Sequence, residues 1–273
     1  VHLELREIAD RVMKSPGGGQ ALHFEHPVLT DGSRSRFPVG INLFGSMRRM
    51  SMALGVERLD DLGARITELL QTKPPEGIVA KLALLPRLME LAKFPPRTAR
   101  GAPACQETVW RGADIDLGQL PLLKCWPEDG GAYITVPMVI TRDPKRGIRN
   151  VGMYRIMQTG RDTLAMHWQR HKVGAAHWRE MAERGETMPV CIAIGADPAS
   201  MYSASAPLPP TVDEFLFAGF IRRAPVMLTK ALTCDLEVPA DADFVIEGYI
   251  DPREALVTEG PFGDHTGFYS LAD

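Results

Sequence analysis

The sequence predicts a mixed α+β chain, with an α/β unit over residues 1–100 followed by a mainly β part over residues 101–273. Three observations carry this expectation. Apolar residues recur at three- and four-residue spacings in the first third of the chain. Beyond Pro95-Pro96, β-branched and aromatic runs bounded by Gly, Pro and Asp take over. A length of 273 residues with 45% hydrophobic and 24% charged content is also enough to bury a sizeable core without disulfide or zinc staples.

Taken in order, Leu5, Ile8, Ala9 and Val12 share one face of a helix from Leu3 to Met13, which Gly17-Gly18-Gly19 ends. A strand over 21–24, a loop rich in Asp, Gly, Ser and Pro from Pro27 to Pro38, and a second strand over 39–44 follow. Two helices are then expected, Leu59 to Gln71, with Asp60 and Asp61 against the helix dipole, and Gly77 to Leu91, after Pro74-Pro75. In the second part, strands are expected at 109–110, 133–136, 138–141 and 190–194. One helix interrupts them, from Val212 to about Arg222, capped by Thr211 or Asp213. Strands over 224–231 and 243–250, joined through Leu236 to Ala240, and a strand-like end from Gly267 to Asp273 complete the order. A β-rich domain of this size commonly holds a ligand in the mouth of a barrel or sandwich.

The charge balance, 31 Lys+Arg against 34 Asp+Glu, gives a net charge of −3 with bases and acids interleaved, so nucleic acid is not the expected ligand. Cys105, Cys125, Cys191 and Cys234 form no CxxC pair, and reduced thiols in a cytoplasmic protein are the default. No stretch reaches the ~20 apolar residues of a membrane span. The Val1 start and the strand-like end lead to the expectation of a trimmed chain.

GxGxxG, GxxxxGK[ST] and HExxH motifs are missing, which removes the ordinary dinucleotide, P-loop and zincin readings. The densest chemistry lies in Glu259-Gly-Pro-Phe-Gly-Asp264-His-Thr-Gly267. Two carboxylates flanking a Gly/Pro turn can converge as a general acid and its partner, although spacing alone favours a solvated turn. A second dense segment is Asn150-Val-Gly-Met-Tyr-Arg155, followed by His167-Trp-Gln-Arg-His171-Lys172. Strand alternation puts Asn150 and Arg155 on opposite faces, so a shared site predicts a bend or bulge near Gly152. His167 and His171, four apart, suit two ligands on one helical face, but packed or partly exposed histidines are the commoner meaning of such a pair. Glu214 near a helix start is explained by the dipole alone. Met201 to Ala206 reads as a small-residue loop, suited to a flat or anionic ligand or simply to a tight turn.

Cys125-Trp-Pro-Glu-Asp129, Asn150 to Arg155, Ile194-Gly-Ala-Asp-Pro-Ala199, Asp235-Leu-Glu-Val-Pro-Ala240 and Glu259 to Gly267, in this order, resemble the UbiD family of decarboxylases. The resemblance runs through essentially the whole chain and is strongest to the bacterial 3-polyprenyl-4-hydroxybenzoate decarboxylases of ubiquinone biosynthesis. It implies a flavin-reductase-like split β-barrel, incomplete at its C-terminal end, with the family's C-terminal domain missing. It also implies prenylated FMN with Mn²⁺ or Mg²⁺, and a K⁺ ion as in many members. Asn150, His171 and Glu214 match the family's metal positions, and their donor atoms suit those cations. Met153, Tyr154, Arg155, His167, Trp168, Gln169, Arg170, Lys172 and Val173 match stretches that line the cofactor.

Arg155, Glu259 and Asp264 match the catalytic set. Arg155 is expected to pair with the substrate carboxylate or cofactor, Glu259 to hold the guanidinium, and Asp264 to deliver a proton, which needs a carboxyl kept protonated by burial or by Glu259. The implied partners are an aromatic acid, polyprenylated in the ubiquinone branch, a flavin prenyltransferase that supplies the cofactor, and further copies of the chain. The implied location is the cytoplasm, with peripheral contact at the membrane. A (de)carboxylase of a small aromatic or unsaturated acid and a non-catalytic flavin-binding assembly protein are the alternatives.

Overall fold

The computed structural model describes residues 2–70, 93–209, 212–264 and 266–272. The helix expected over 77–91 lies outside them. The chain opens with α1 (His2–Met13), β1 (Leu22–Phe24) and β2 (Val39–Ile41), the two strands pairing antiparallel. Next come α2 (Met47–Ala53) and α3 (Leu59–Leu70). Helix α2 was not expected, because its methionine-rich sequence shows little period. Its start is nevertheless written locally, since the Ser46 side chain accepts from the Arg49 N–H at 3.2 Å.

The scaffold of the second part is a four-stranded antiparallel sheet in the order β12 (Phe244–Ile250), β9 (Met188–Ile194), β5 (Met138–Arg142), β6 (Arg149–Met153). Its central strands read as continuous apolar runs because both faces are covered. Met138, Ile140, Val151 and Cys191 point to one cluster, and Val139, Val190 and Ile192 to another. A second antiparallel sheet runs β4 (Tyr133–Ile134), β7 (Ile156–Gln158), β8 (Leu164–Met166). A third is β11 (Glu237–Pro239), β10 (Met227–Lys230), β3 (Arg97–Thr98), in which β10 and β3 are parallel. Finally β13 (Glu259–Gly263) and β14 (Tyr269–Ala272) form a hairpin. Among the described residues the strands do not close into one hydrogen-bonded barrel.

Three helices, not one, interrupt these strands: α4 (Val173–Glu183), α5 (Pro198–Ser203) and α6 (Glu214–Arg222). The expected loop at 201–206 is therefore in part the end of α5. The start signal of α5 was present in the sequence, since Asp197 caps the Ala199 N–H and Pro198 occupies the first turn. Asp213 caps α6 through the Leu216 N–H at 3.0 Å, one of the two caps expected. Helix α6 buries Phe215, Phe217, Ala218, Phe220 and Ile221 against the four-stranded sheet, so it is apolar nearly all round. The strand expected at 109–110 is absent. Trp110 lies instead between 3₁₀ turns and stacks near Arg36 and Phe37. The joining segment 236–240 contributes β11 rather than a plain connection.

Candidate active site

The four-stranded sheet and the segments at its edge enclose an open cavity of about 1650 Å³. Val190, Ile192, Phe244, Trp168, His167 and Glu259 are among the residues that line it.

Arg155 meets Glu259, which lines this cavity, because the chain changes sheets beside it. β6 stays regular through Gly152, which pairs with Val139, and ends at Met153. Ile156 then starts β7 in the neighbouring sheet, and the Arg155 carbonyl accepts from the His167 N–H at 3.2 Å. The change of face expected near Gly152 thus occurs at Tyr154 and Arg155. Gly152 has a different role, since a Cβ there would stand 2.5 Å from the Tyr154 ring. Asn150 remains inside the ladder, 7% exposed, and does not share Arg155's surroundings.

Glu259 opens β13 with its side chain only 4% exposed. Its Oε2 accepts from Arg155 Nε at 2.8 Å and from Nη2 at 2.6 Å, while Oε1 is buried with no partner among the described groups. Arg155 is further held by Nη1 donating to Ser270 Oγ at 3.1 Å and by the Phe262 ring, 4.5 Å from its guanidinium carbon. His167 Nδ1 lies 3.7 Å from Glu259 Oε2, too far for a hydrogen bond. Burial, and then the Arg155 charge, hold His167 below its ordinary pKa, against the pull of Glu259. Burial, and then the charge of Glu259, push the Tyr133 phenol up. Phe262 was legible as part of a quoted motif. Ser270 carried no signal, because a lone serine in a strand has no chemistry of its own.

Asp264 does not sit across a turn from Glu259. Glu259 is the first residue of the five-residue β13, which has a register shift between Glu259 and Phe262, and Asp264 follows its last residue. The Asp264 backbone closes the hairpin, its N–H donating to Phe268 O at 3.0 Å and its carbonyl accepting from Gly267 N.

Glu214 Oε2 accepts the N–H of Val151, the residue after Asn150, at 3.0 Å, so these two expected ligands are neighbours. Burial pushes the Glu214 carboxyl up to about 7, overriding the helix-start effect that had seemed a sufficient account of it. Arg149, the adjacent cation, turns to Asp213 at 2.6 Å and Glu237 at 2.7 Å. His171 is exposed in the turn before α4, not on a helical face with His167. No three His, Cys, Asp or Glu side chains among the described residues are grouped to hold a metal ion.

Of the expected cofactor residues, His167, Trp168 and Arg170 line the cavity. Met153, Tyr154 and Lys172 form a packed knot behind it. Lys172 Nζ donates to Met153 O at 3.1 Å and lies 5.2 Å from the Tyr154 ring centre, and the Tyr154 hydroxyl accepts from Gly174 N at 3.0 Å. Tyr154 and Trp168 rings meet at 4.9 Å. Gln169 precedes the turn, its carbonyl accepting from the Lys172 N–H, and Val173 begins α4 partly exposed.

Residues 97–273 match the family model UbiD, the Rift-related domain of 3-octaprenyl-4-hydroxybenzoate carboxy-lyase, and residues 1–66 match UbiD_N, its N-terminal domain. The chain belongs to the UbiD family. A relative from Aquifex aeolicus (strain VF5), itself uncharacterized, is 50% identical over 271 residues, 99% of this chain and 54% of its own length. Among solved structures, the UbiD-class enzyme HmfF from Pelotomaculum thermopropionicum in complex with FMN is 29% identical with a TM-score of 0.78, covering 97% of this chain and 54% of that one. Vanillic acid decarboxylase of Sedimentibacter hydroxybenzoicus in its closed form is 26% identical with a TM-score of 0.80, covering 98% and 54%. The chain thus spans about half the length of the UbiD relatives it matches. No described helix is long and apolar enough to cross a membrane.

Proposed function

We propose that this chain carries the N-terminal and cofactor-binding parts of a non-oxidative decarboxylase of aromatic acids that works with prenylated FMN. The observation that carries the reading is the Arg155–Glu259 pair, whose carboxylate lines the cavity with one oxygen buried and, among the described residues, unpaired. A buried orphan acceptor is costly unless a ligand supplies its donor. The likeness to HmfF with FMN and to vanillic acid decarboxylase supports the cofactor and substrate class. When bound, prenylated FMN supplies the electron sink that loss of CO₂ from a ring carbon requires.

The protein's own part is positioning and proton handling. Arg155 offers a planar fork to a carboxylate, and Glu259 fixes its orientation through Nε and Nη2. The Phe262 ring, 4.5 Å from the guanidinium carbon, shields one side of an Arg155 side chain that is 19% exposed. Asp264 is assigned the proton that replaces CO₂ on the substrate carbon. Asn150, Glu214 and His171 would hold Mn²⁺ or Mg²⁺, an assignment supported by the hard oxygen donors of Asn150 and Glu214 and by the burial of Glu214, whose neighbouring cation Arg149 turns to Asp213 and Glu237. Arg170 and Lys172 would serve the cofactor's anionic end, and a K⁺ ion would join it.

The favoured substrate is a 3-polyprenyl-4-hydroxybenzoate, converted to the 2-polyprenylphenol of ubiquinone biosynthesis. A cavity of about 1650 Å³ exceeds the ~300–1,000 Å³ of ordinary ligand pockets and leaves room for an apolar chain. A small aromatic acid is the second reading, favoured by the vanillic acid decarboxylase likeness. In either case the protein works in the cytoplasm as a homo-oligomer, at the membrane face when the substrate is prenylated.

The test is full-length protein co-produced with a flavin prenyltransferase, identified for bound cofactor by mass spectrometry and assayed for CO₂ release from both acids with and without Mn²⁺. Release from the prenylated acid supports the first substrate, and release from vanillate alone supports the second. Absence of prenylated FMN and of CO₂ release overturns the enzymatic reading and favours a flavin-binding assembly role.

A further inference from the structure

The Cys125–Asp129 motif has no part in the site described above, yet it lies directly beneath it. Asp129 is 2% exposed, and its two oxygens accept from two separate backbone segments. Oδ2 takes the Trp126 N–H at 2.7 Å, inside its own turn, and Oδ1 takes the Gly263 N–H at 2.8 Å, at the end of β13. Around this bridge the turn is pressed against the hairpin. Gly130 donates to Pro261 O at 2.7 Å, and a Cβ on Gly130 would stand 2.0 Å from Gly260 O. Glu128 donates its N–H to the Tyr269 hydroxyl on β14 at 3.2 Å, and the Tyr133 ring meets Phe262 edge-on at 4.9 Å.

A turn that needed only its own cap would be served by Ser or Asn. Two acceptor oxygens aimed at two segments require a carboxylate, and burying one costs free energy that a surface turn has no reason to bear. The segment it holds carries Glu259, Phe262 and Ser270, the three groups that surround Arg155. We propose that Asp129 is a positioning residue for the Arg155–Glu259 pair, setting the depth of β13 against the turn at 126–130 and thereby the angle at which Glu259 holds the Arg155 guanidinium. This role rests on the decarboxylase reading only in its effect on turnover; the geometric part stands on its own.

The test is Asp129→Asn in the full-length protein, because asparagine keeps the shape and one acceptor while turning an N–H donor toward the other amide. Hydrogen exchange at the Gly263 amide should quicken roughly tenfold or more, with the Ile192 amide in β9 unchanged. The Arg155 Nε–H resonance should move while that of Arg149 stays. Turnover of the aromatic acid should fall about tenfold or more with FMN affinity within about twofold, and Asp129→Glu should recover part of each loss. Unchanged Gly263 exchange overturns the proposal. Faster exchange with an unmoved Arg155 resonance also overturns it, reducing Asp129 to a structural brace. Should Asp129→Asn fail to fold, Gly130→Ala displaces β13 from the same side and is read by the same resonances. If the parent protein, loaded with cofactor, releases no CO₂ from any aromatic acid, the decarboxylase reading fails while the exchange and resonance measurements still decide the role of Asp129.

Discussion

Replacing Arg155 by leucine removes the guanidinium that closes on Glu259. The carboxylate then keeps its burial, with 4% of the side chain exposed, but loses both charge-assisted bonds, at 2.8 and 2.6 Å, to an oxygen whose twin already lacks a partner. Breaking a buried pair from one side costs about 3–5 kcal/mol, because the remaining charge is uncompensated. Arg155 is itself 19% exposed, so water reaches part of the gap and the lower end, about 3 kcal/mol, is expected. Glu259→Gln keeps one oxygen for one of the two N–H groups and should cost about 1.5 kcal/mol. Because Glu259→Gln also removes the charge that Arg155→Leu strands, the double variant should lose about 2 kcal/mol, less than Arg155→Leu alone and well short of the sum. Urea unfolding of the full-length protein at pH 8, followed by tryptophan fluorescence, measures all three. Additive single effects, or an Arg155→Leu loss below about 1 kcal/mol, would refute the view that the pair is buried and mutually dependent.

Further outcomes are expected elsewhere. His177, buried in α4 with Nδ1 at 3.0 Å from Thr141 Oγ1, is held below its ordinary pKa chiefly by burial. The unfolded chain therefore binds the proton more tightly, and stability present above about pH 6.5 is lost as the pH falls below it; His177→Gln should flatten that dependence in urea midpoints between pH 5 and 8. Glu214→Gln should weaken Mn²⁺ binding at least tenfold by calorimetry while leaving the metal-free protein within about 1 kcal/mol of wild type, because burial already disfavours the charge; unchanged affinity would remove Glu214 from the metal site. Phe215→Ala, at a 0% exposed position beneath Arg149 and against the four-stranded sheet, should cost about 3–5 kcal/mol in thermal unfolding, and a loss under 1 kcal/mol would mean that the helix repacks.

Much of the scaffold could be read directly from local pattern. The three- and four-residue spacing of α1, the acid-headed start of α3, the Asp213 cap of α6 and the β-branched runs of β5 and β9 each report a preference that neighbouring residues settle among themselves. Helices α4 and α5 were missed where the pattern is weak: one has no side-chain cap, and the other is six residues long. The residues proposed for the site were legible as motifs. Arg155, Glu259, Asn150 and Glu214 were all named from the chain, and the first two meet across 104 residues of sequence.

What the tertiary structure decided is how those motifs are used. Arg155 meets Glu259 because the chain passes from one sheet to another after Met153, not because of a bulge at Gly152, and strand rather than turn separates Glu259 from Asp264. Asp129 acquired a role only when β13 was laid on its turn. The division has a physical cause. Periodicity and capping are fixed by interactions within a few residues, whereas the burial that leaves Glu259 dependent on Arg155, and Glu214 with its charge disfavoured, exists only after distant segments have excluded water around them.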